Sequence, residues 1–231
     1  MSEITSAEWT AILLSLRVAV IATLVATPFG IALAWLLARH NFWGKSALDA
    51  LVHLPLVLPP VVTGYLLLLT FGRRGLVGAW LADNLGIVFA FRWTGAALAC
   101  GVMSFPLLVR PIRLSIEAID RRLEQAASTL GAAPWKVFAT VTLPLALPGI
   151  LAGMVLGFAK AIGEFGATIT FVSNIPGETQ VISSAIYSLI QTPDGDAAAG
   201  RLVVISIILA LGALIAAEWF ARRATARLHG N

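Results

Sequence analysis

Lys160 and Glu164 stand one helical turn apart inside an apolar stretch of this 231-residue chain. Ionisable groups at membrane depth are costly, so they face a bundle interior, where they pair or line a path. Two readings of the pair stand. One is a mutual ion pair that holds its helix, and the other is a polar stretch beside a gate. Hydroxyl and amide groups follow it: Thr168, Thr170, Ser173 and Asn174. Thr63 and Tyr65 come just after a Pro59-Pro60 break, and Ser104 lies in another apolar run. Such groups suit the passage of a polar solute, because binding along a path must be weak enough to leave. Each equally suits a hydrogen bond to a neighbouring helix. Covalent chemistry has no comparable set of residues. His40, His53 and His229 are far apart and Cys100 is alone, so neither a metal site nor an internal disulfide is expected. Gly44-Lys45-Ser46 has the tail of a phosphate-binding loop, but the first glycine of that pattern would fall at Arg39 and no strand precedes it. It is a chance match. Any nucleotide is therefore expected on a partner.

The elements that position these residues are membrane helices. The chain is 58% hydrophobic and only 12% charged, whereas a soluble domain carries roughly 25% charged residues. The net charge of +4 is read by position, as loop asymmetry, and not as a nucleic-acid surface. The N-terminal region carries Glu3 and Glu8 instead of a basic cluster. Its apolar run exceeds the roughly 7–15 residues of a signal peptide, so the first span is expected to stay.

A membrane helix needs roughly 20 mostly apolar residues. Five stretches qualify, at about 12–38, 51–71, 93–114, 148–172 and 202–220. An all-α polytopic bundle of about five spans follows. Residues 76–91 are apolar but short and interrupted by Asp83, Asn84 and Gly86, which reads as an interfacial or re-entrant piece. Arg39, Lys45, Arg113, Arg121, Arg122, Lys136, Arg222, Arg223 and Arg227 fall on one side of such a bundle. Arg73, Arg74, Arg92 and Arg201 fall on the other, the last accompanied by Glu178, Asp194 and Asp196. The richer side is expected to be cytoplasmic, with the N-terminus outside and the C-terminus inside. Arg17 within the first span reads as a snorkelling side chain. Arg110 and Arg113 near the inner end of the third read the same way, with a role in anion exit as a second reading. Gly149, Gly153 and Gly157 share one face of the fourth span and permit close helix approach, within the chain or between two copies.

The segment 117–147 reads as helix, turn, helix. Leu123-Glu124-Gln125-Ala126-Ala127-Ser128-Thr129-Leu130 favours a helix, and Gly131 sits where a left-handed terminating residue belongs. Pro134 suits the first position of a new helix, and Trp135 and Phe138 are spaced to share a face beside Lys136. Composition alone would suit an amphipathic helix on a lipid surface.

The order of residues resembles the EAA loop of ABC importer permeases: Glu-Ala-Ala, three residues, Gly, nine residues, Ile-x-Leu-Pro. Gln125, Ala126, Ala127, Gly131, Val141, Leu143 and Pro144 fill those places, with glutamine replacing glutamate beside Glu124 and valine replacing isoleucine. His53-Leu-Pro-Leu-Val-Leu-Pro-Pro-Val-Val-Thr-Gly-Tyr65, the run Gly163 to Thr179 and the run Ile186 to Pro193 resemble the molybdate branch. The Gly163-Glu164-Phe165-Gly166-Ala167 core resembles sulfate permeases too.

This resemblance implies a type I ABC importer permease fold across a single domain, in a bacterial cytoplasmic (inner) membrane. It implies a homodimer, two cytoplasmic ATPase subunits that hold ATP and Mg, and an extracytoplasmic molybdate-binding protein. It makes Glu124 to Ala127, Gly131, Pro134, Trp135, Lys136 and Phe138 the coupling loop that docks on the ATPase. No cofactor is expected on this chain. Moving a dianion inward against 100 mV costs roughly 5 kcal/mol, so uptake of a scarce anion needs such coupling. The alternatives are a sulfate, thiosulfate or tungstate permease, or a membrane scaffold without transport. An intramembrane enzyme would need a nucleophile–base or metal set, and the sequence offers no convincing one.

Overall fold

The computed structural model describes residues 4–228. Glu3 and His229 lie outside the described residues, as do the side chains of Arg222, Arg223 and Arg227. Among the described residues the chain is helical, with no strand.

Helix α1 (Ser6–Arg39) starts earlier than the apolar run because Thr5 and Glu8 form a reciprocal cap. The Thr5 amide donates to Glu8 at 2.6 Å and the Glu8 amide to Thr5 at 3.3 Å. The second apolar stretch is two helices, α2 (Lys45–Val57) and α3 (Pro60–Phe71), which meet at 114°. Proline cannot donate a backbone hydrogen bond, and it forces the preceding residue into extended backbone. Leu58 and Pro59 are extended accordingly, and the chain turns there.

Helix α4 (Leu76–Leu85) is the short apolar piece. Its ten residues reach about 15 Å, half a bilayer's hydrocarbon core, and Gly86 ends it in the left-handed region. Helix α5 (Trp93–Glu117) is the centre of the bundle. It packs most extensively against α1 and against α9 (Leu147–Ile162). The α9 glycine row makes this possible. A Cβ on Gly153 would stand 2.5 Å from the Leu108 carbonyl oxygen, and one on Gly149 would overlap Ser115. The row is therefore consumed inside the chain, against α5, and is not the face where two copies meet.

The fourth apolar stretch is not continuous. It stops at Ile162 and resumes as α10 (Gly166–Val172). A helix missed in the sequence, α11 (Ile182–Leu189), precedes the long α12 (Asp196–Leu228). Among the described residues three helices are long and apolar enough to cross a membrane, and up to five spans result if each bent pair is one span.

The first and last long helices are clasped where they start. Buried Glu8 accepts hydrogen bonds from Arg201 at 2.8 and 3.2 Å. Farther along α1, Ser15 accepts the Ile182 amide at 2.7 Å.

Candidate functional site

Two features bring together the residues singled out in the sequence. The first is an arm between α5 and α9. Helix α6 (Arg121–Thr129) is capped by Asp120, whose carboxylate accepts the Arg122 amide at 2.9 Å. Gly131 adopts φ +83°, the left-handed turn its position implied, and Pro134 opens α7 (Pro134–Val137). The arm then changes pitch. Residues Phe138–Thr142 form one π-helical turn, followed by α8 (Leu143–Leu145), and the whole stretch Pro134–Leu145 meets α9 at a bend of 68°. Single π turns mark sites where a helix is re-aimed.

Trp135 and Phe138 do not act as a pair. Trp135 is 68% exposed, with the Lys136 ammonium 5.7 Å from its ring. Phe138 turns inward, and its ring meets the edge of Trp35 at 5.6 Å. The arm thus presents one aromatic outward and is moored by another. The second mooring is Glu124. Its carboxylate meets Arg39 Nε at 3.0 Å and accepts the Thr142 hydroxyl at 2.6 Å. Arg39 also donates to the Ile119 carbonyl at 3.2 Å. Gln125, Ala126 and Leu130 are exposed, Ala127 is half-buried, and no α6 residue is fully buried. Glu124 therefore serves the interior of the arm, and Gln125 its surface. Arg113 pairs with Asp49 at 2.9 Å and Glu117 at 2.8 Å. Its charge is balanced, which weighs against a role in anion exit, while Arg110 is exposed.

The second feature is a seam where two interrupted helices meet. A Cβ on Gly64 of α3 would stand 2.6 Å from the Ala167 carbonyl oxygen of α10, and one on Gly166 would stand 2.7 Å from Pro60. Interrupted helices inside a bundle are tolerated where protein or a cavity satisfies the freed backbone groups, and transporters build substrate sites from them. Glu164, 1% exposed, braces the interruption. It pairs with Lys160 at 2.6 Å and accepts the Ala167 amide at 3.0 Å. Its own carbonyl accepts the Ser183 hydroxyl at 2.8 Å. The two side chains form the mutual ion pair that the first sequence reading describes.

The other path candidates are scattered. Thr168 and Thr170 donate to carbonyls of their own turn at 2.8 Å each. Buried Ser104 donates to Gly101 at 3.2 Å. Asn174 donates to Ser188 at 2.6 Å, Ser173 is exposed at φ +66°, and Tyr65 is exposed. The hydroxyl of Thr63 and the amide oxygen of Asn174 are buried without a protein partner. Ser183, Ser15 and Thr142 were not singled out in the sequence, and Arg39 was read there only as a topological charge. Only the bundle shows their partners.

An apolar bundle with two interrupted helices meeting at a seam, carrying a moored arm with an outward aromatic, has the build of a transporter's membrane subunit driven by a partner. The family model described as binding-protein-dependent transport system inner membrane component matches residues 26–226, and the chain belongs to that family. It is 62% identical over 219 residues to the molybdenum transport system permease protein ModB of Escherichia coli K12, covering 95% of this chain and 96% of that one. The ModB of Haemophilus influenzae is 58% identical over 225 residues, covering 97% and 98%. The sulfate transport system permease protein CysT of E. coli K12 is 38% identical over 197 residues, covering 85% and 70%. A bacterial ABC transporter involved in import of the acidic polysaccharide alginate shares the fold, with a TM-score of 0.72 at 21% identity over 95% of this chain and 80% of that one. The inward-facing MetNI methionine ABC transporter shares it at 0.66 and 16%, over 97% and 99%.

Proposed function

We propose that this chain is the membrane-spanning subunit of an ATP-driven importer of molybdate, working by alternating access. The observation that carries the substrate is the 62% identity, over nearly the whole chain, to a molybdenum permease, against 38% to a sulfate permease. Two copies form the permease. Two cytoplasmic ATPases dock on the arms, and an extracytoplasmic protein delivers the anion. The basic residues Arg39, Lys45, Arg121, Arg122 and Lys136 support a cytoplasmic arm, with the N-terminus outside and the C-terminus inside. The chain binds no cofactor, and ATP and Mg belong to the ATPases. Trp135 and the exposed face of α6 contact the ATPase. Glu124 passes the resulting motion to α1 through Arg39, and the π turn passes it to α9. Thr63 and its neighbours at the α3–α10 seam supply uncharged donors to the passing anion.

The test is radiolabelled molybdate uptake into proteoliposomes holding this chain, its ATPase and the loaded binding protein, with ATP supplied on the ATPase side. Uptake that requires ATP and resists excess sulfate is the expected result. Uptake blocked equally by sulfate would replace the substrate and keep the mechanism. No ATP-dependent flux of either anion from an assembled complex would overturn the importer reading and leave a scaffold.

A further inference from the structure

A groove with a cavity volume of about 630 Å³ runs between α1, α2 and α5. Its walls are two helical rows at four-residue steps. One is Ile21, Val25 and Phe29 on α1, and the other is Trp93, Ala97, Gly101 and Phe105 on α5. Small residues between the bulky ones, Ala22 and Ala26 on α1 and Ala97 and Gly101 on α5, leave depth, and a Cβ on Gly101 would meet nothing closer than 3.8 Å. The row from Trp93 to Phe105 rises about 18 Å. One leaflet of a bilayer's hydrocarbon core is about 15 Å thick. The groove therefore has the length of one acyl chain in one leaflet.

One end of the groove is cationic. Arg17 continues the α1 row one turn beyond Ile21 and lies with its guanidinium carbon 3.7 Å above the centre of the Trp93 ring. Among the described residues it makes no ion pair. The sequence reading of Arg17 as a snorkelling side chain omitted this fixed position. Exposed Arg92, the cap residue of α5, adds a second cation beside Trp93. At the other end the two rows finish at Phe29 and Phe105, and Pro55 of α2 lines the groove as well. An apolar slot one leaflet deep, headed by an unneutralised guanidinium, is complementary to an amphiphile with a negative head. An apolar face of a second copy would leave that cation without a counter-charge.

We infer that this groove is a phospholipid site, in which one acyl chain lies along α1 and α5 and the anionic headgroup meets Arg17. The inference does not depend on which anion the protein transports. The test uses the full chain in vesicles of phosphatidylethanolamine and phosphatidylglycerol that contain phosphatidylglycerol with a photoactivatable diazirine in one acyl chain. After illumination, labelled peptides are mapped by mass spectrometry. Labelling should concentrate on the Val25 and Leu98 segments. Gly101→Leu or Val25→Trp, which fill the slot from opposite walls, should each abolish it while the folded, monodisperse chain is retained. Arg17→Gln should lower labelling by about fivefold, the effect of one basic group at an anionic lipid surface. Excess inorganic phosphate should leave it unchanged, because the acyl chain carries part of the binding. Equal labelling of the groove and of the α12 face at Ile207 and Leu211 would reduce the groove to ordinary lipid contact and overturn the site. So would a disulfide between Val25→Cys residues of two copies, which would put a second chain in the slot.

Discussion

Glu124 of the arm and Arg39, the last residue of α1, meet at 3.0 Å across 85 positions of sequence. Both side chains are largely shielded, at 18% and 9% exposure. The same carboxylate holds the Thr142 hydroxyl in the π turn. One acidic group thus joins the arm to the first helix and to the start of the return helix.

Glu124→Gln should separate motion of the arm from motion of α1. A hydrogen-bonded charge of this kind contributes about 2 kcal/mol, so the melting temperature of the purified chain should fall measurably. In the assembled transporter, ATP hydrolysis should persist while transport per ATP drops roughly tenfold, a loss in the usual range of coupling energies. Equal loss of hydrolysis and transport would assign Glu124 to docking instead.

Gly131 tests backbone conformation without steric crowding, because a Cβ there would meet nothing within 4 Å. At φ +83° a β-branched side chain is strained by about 1–2 kcal/mol, and asparagine by less. Transport should survive Gly131→Asn and fall in Gly131→Val. Equal behaviour of the two variants would mean that the left-handed turn is not what the arm requires.

Trp135 is exposed, so Trp135→Ala should leave thermal stability unchanged. Its cost should appear in the affinity of the chain for its ATPase, at about 2 kcal/mol for a central aromatic anchor. A pull-down titration of ATPase against permease reads it directly. Unaltered affinity would move the docking face elsewhere on α6.

Lys160→Met should destabilise the bundle by about 3 kcal/mol, because it strands the buried Glu164 carboxylate. Adding Glu164→Gln should recover most of that loss in a thermal-shift assay. If the double variant is stable yet transports nothing, the pair serves the path as well as the fold.

Gly64→Ala should force α3 and α10 apart, because the new methyl group would overlap backbone at Ala167. Overpacking of this kind costs about 1–3 kcal/mol. Gly212→Ala on α12 meets open space and should be neutral or stabilising by up to about 1 kcal/mol. Similar melting temperatures for the two variants would remove the seam as a tight contact.

What was legible in the sequence was local. Gly131 and Pro134 could be placed because their backbone restrictions need no partner to be read, and the Pro59-Pro60 break followed from the same rule. The early start of α1 was missed, although Thr5 and Glu8 carry the spacing of a capping box. The interruption at Gly163 was hidden within a run apolar enough to count as one span. The partners were not legible at all. Arg39 read as a topological charge because Glu124 lies 85 residues away. The α9 glycines revealed a close approach but not that α5 makes it.

The Glu8–Arg201 clasp has a consequence for how the protein is made. Residue 201 leaves the ribosome after every other helix has begun to enter the bilayer. Until then Glu8 waits at the rim of α1 with its cation unsynthesised. Completion of the last helix is therefore also the moment when the first is locked. A chain cut short before α12 keeps the Thr5 cap on Glu8 but lacks the cation that balances its charge.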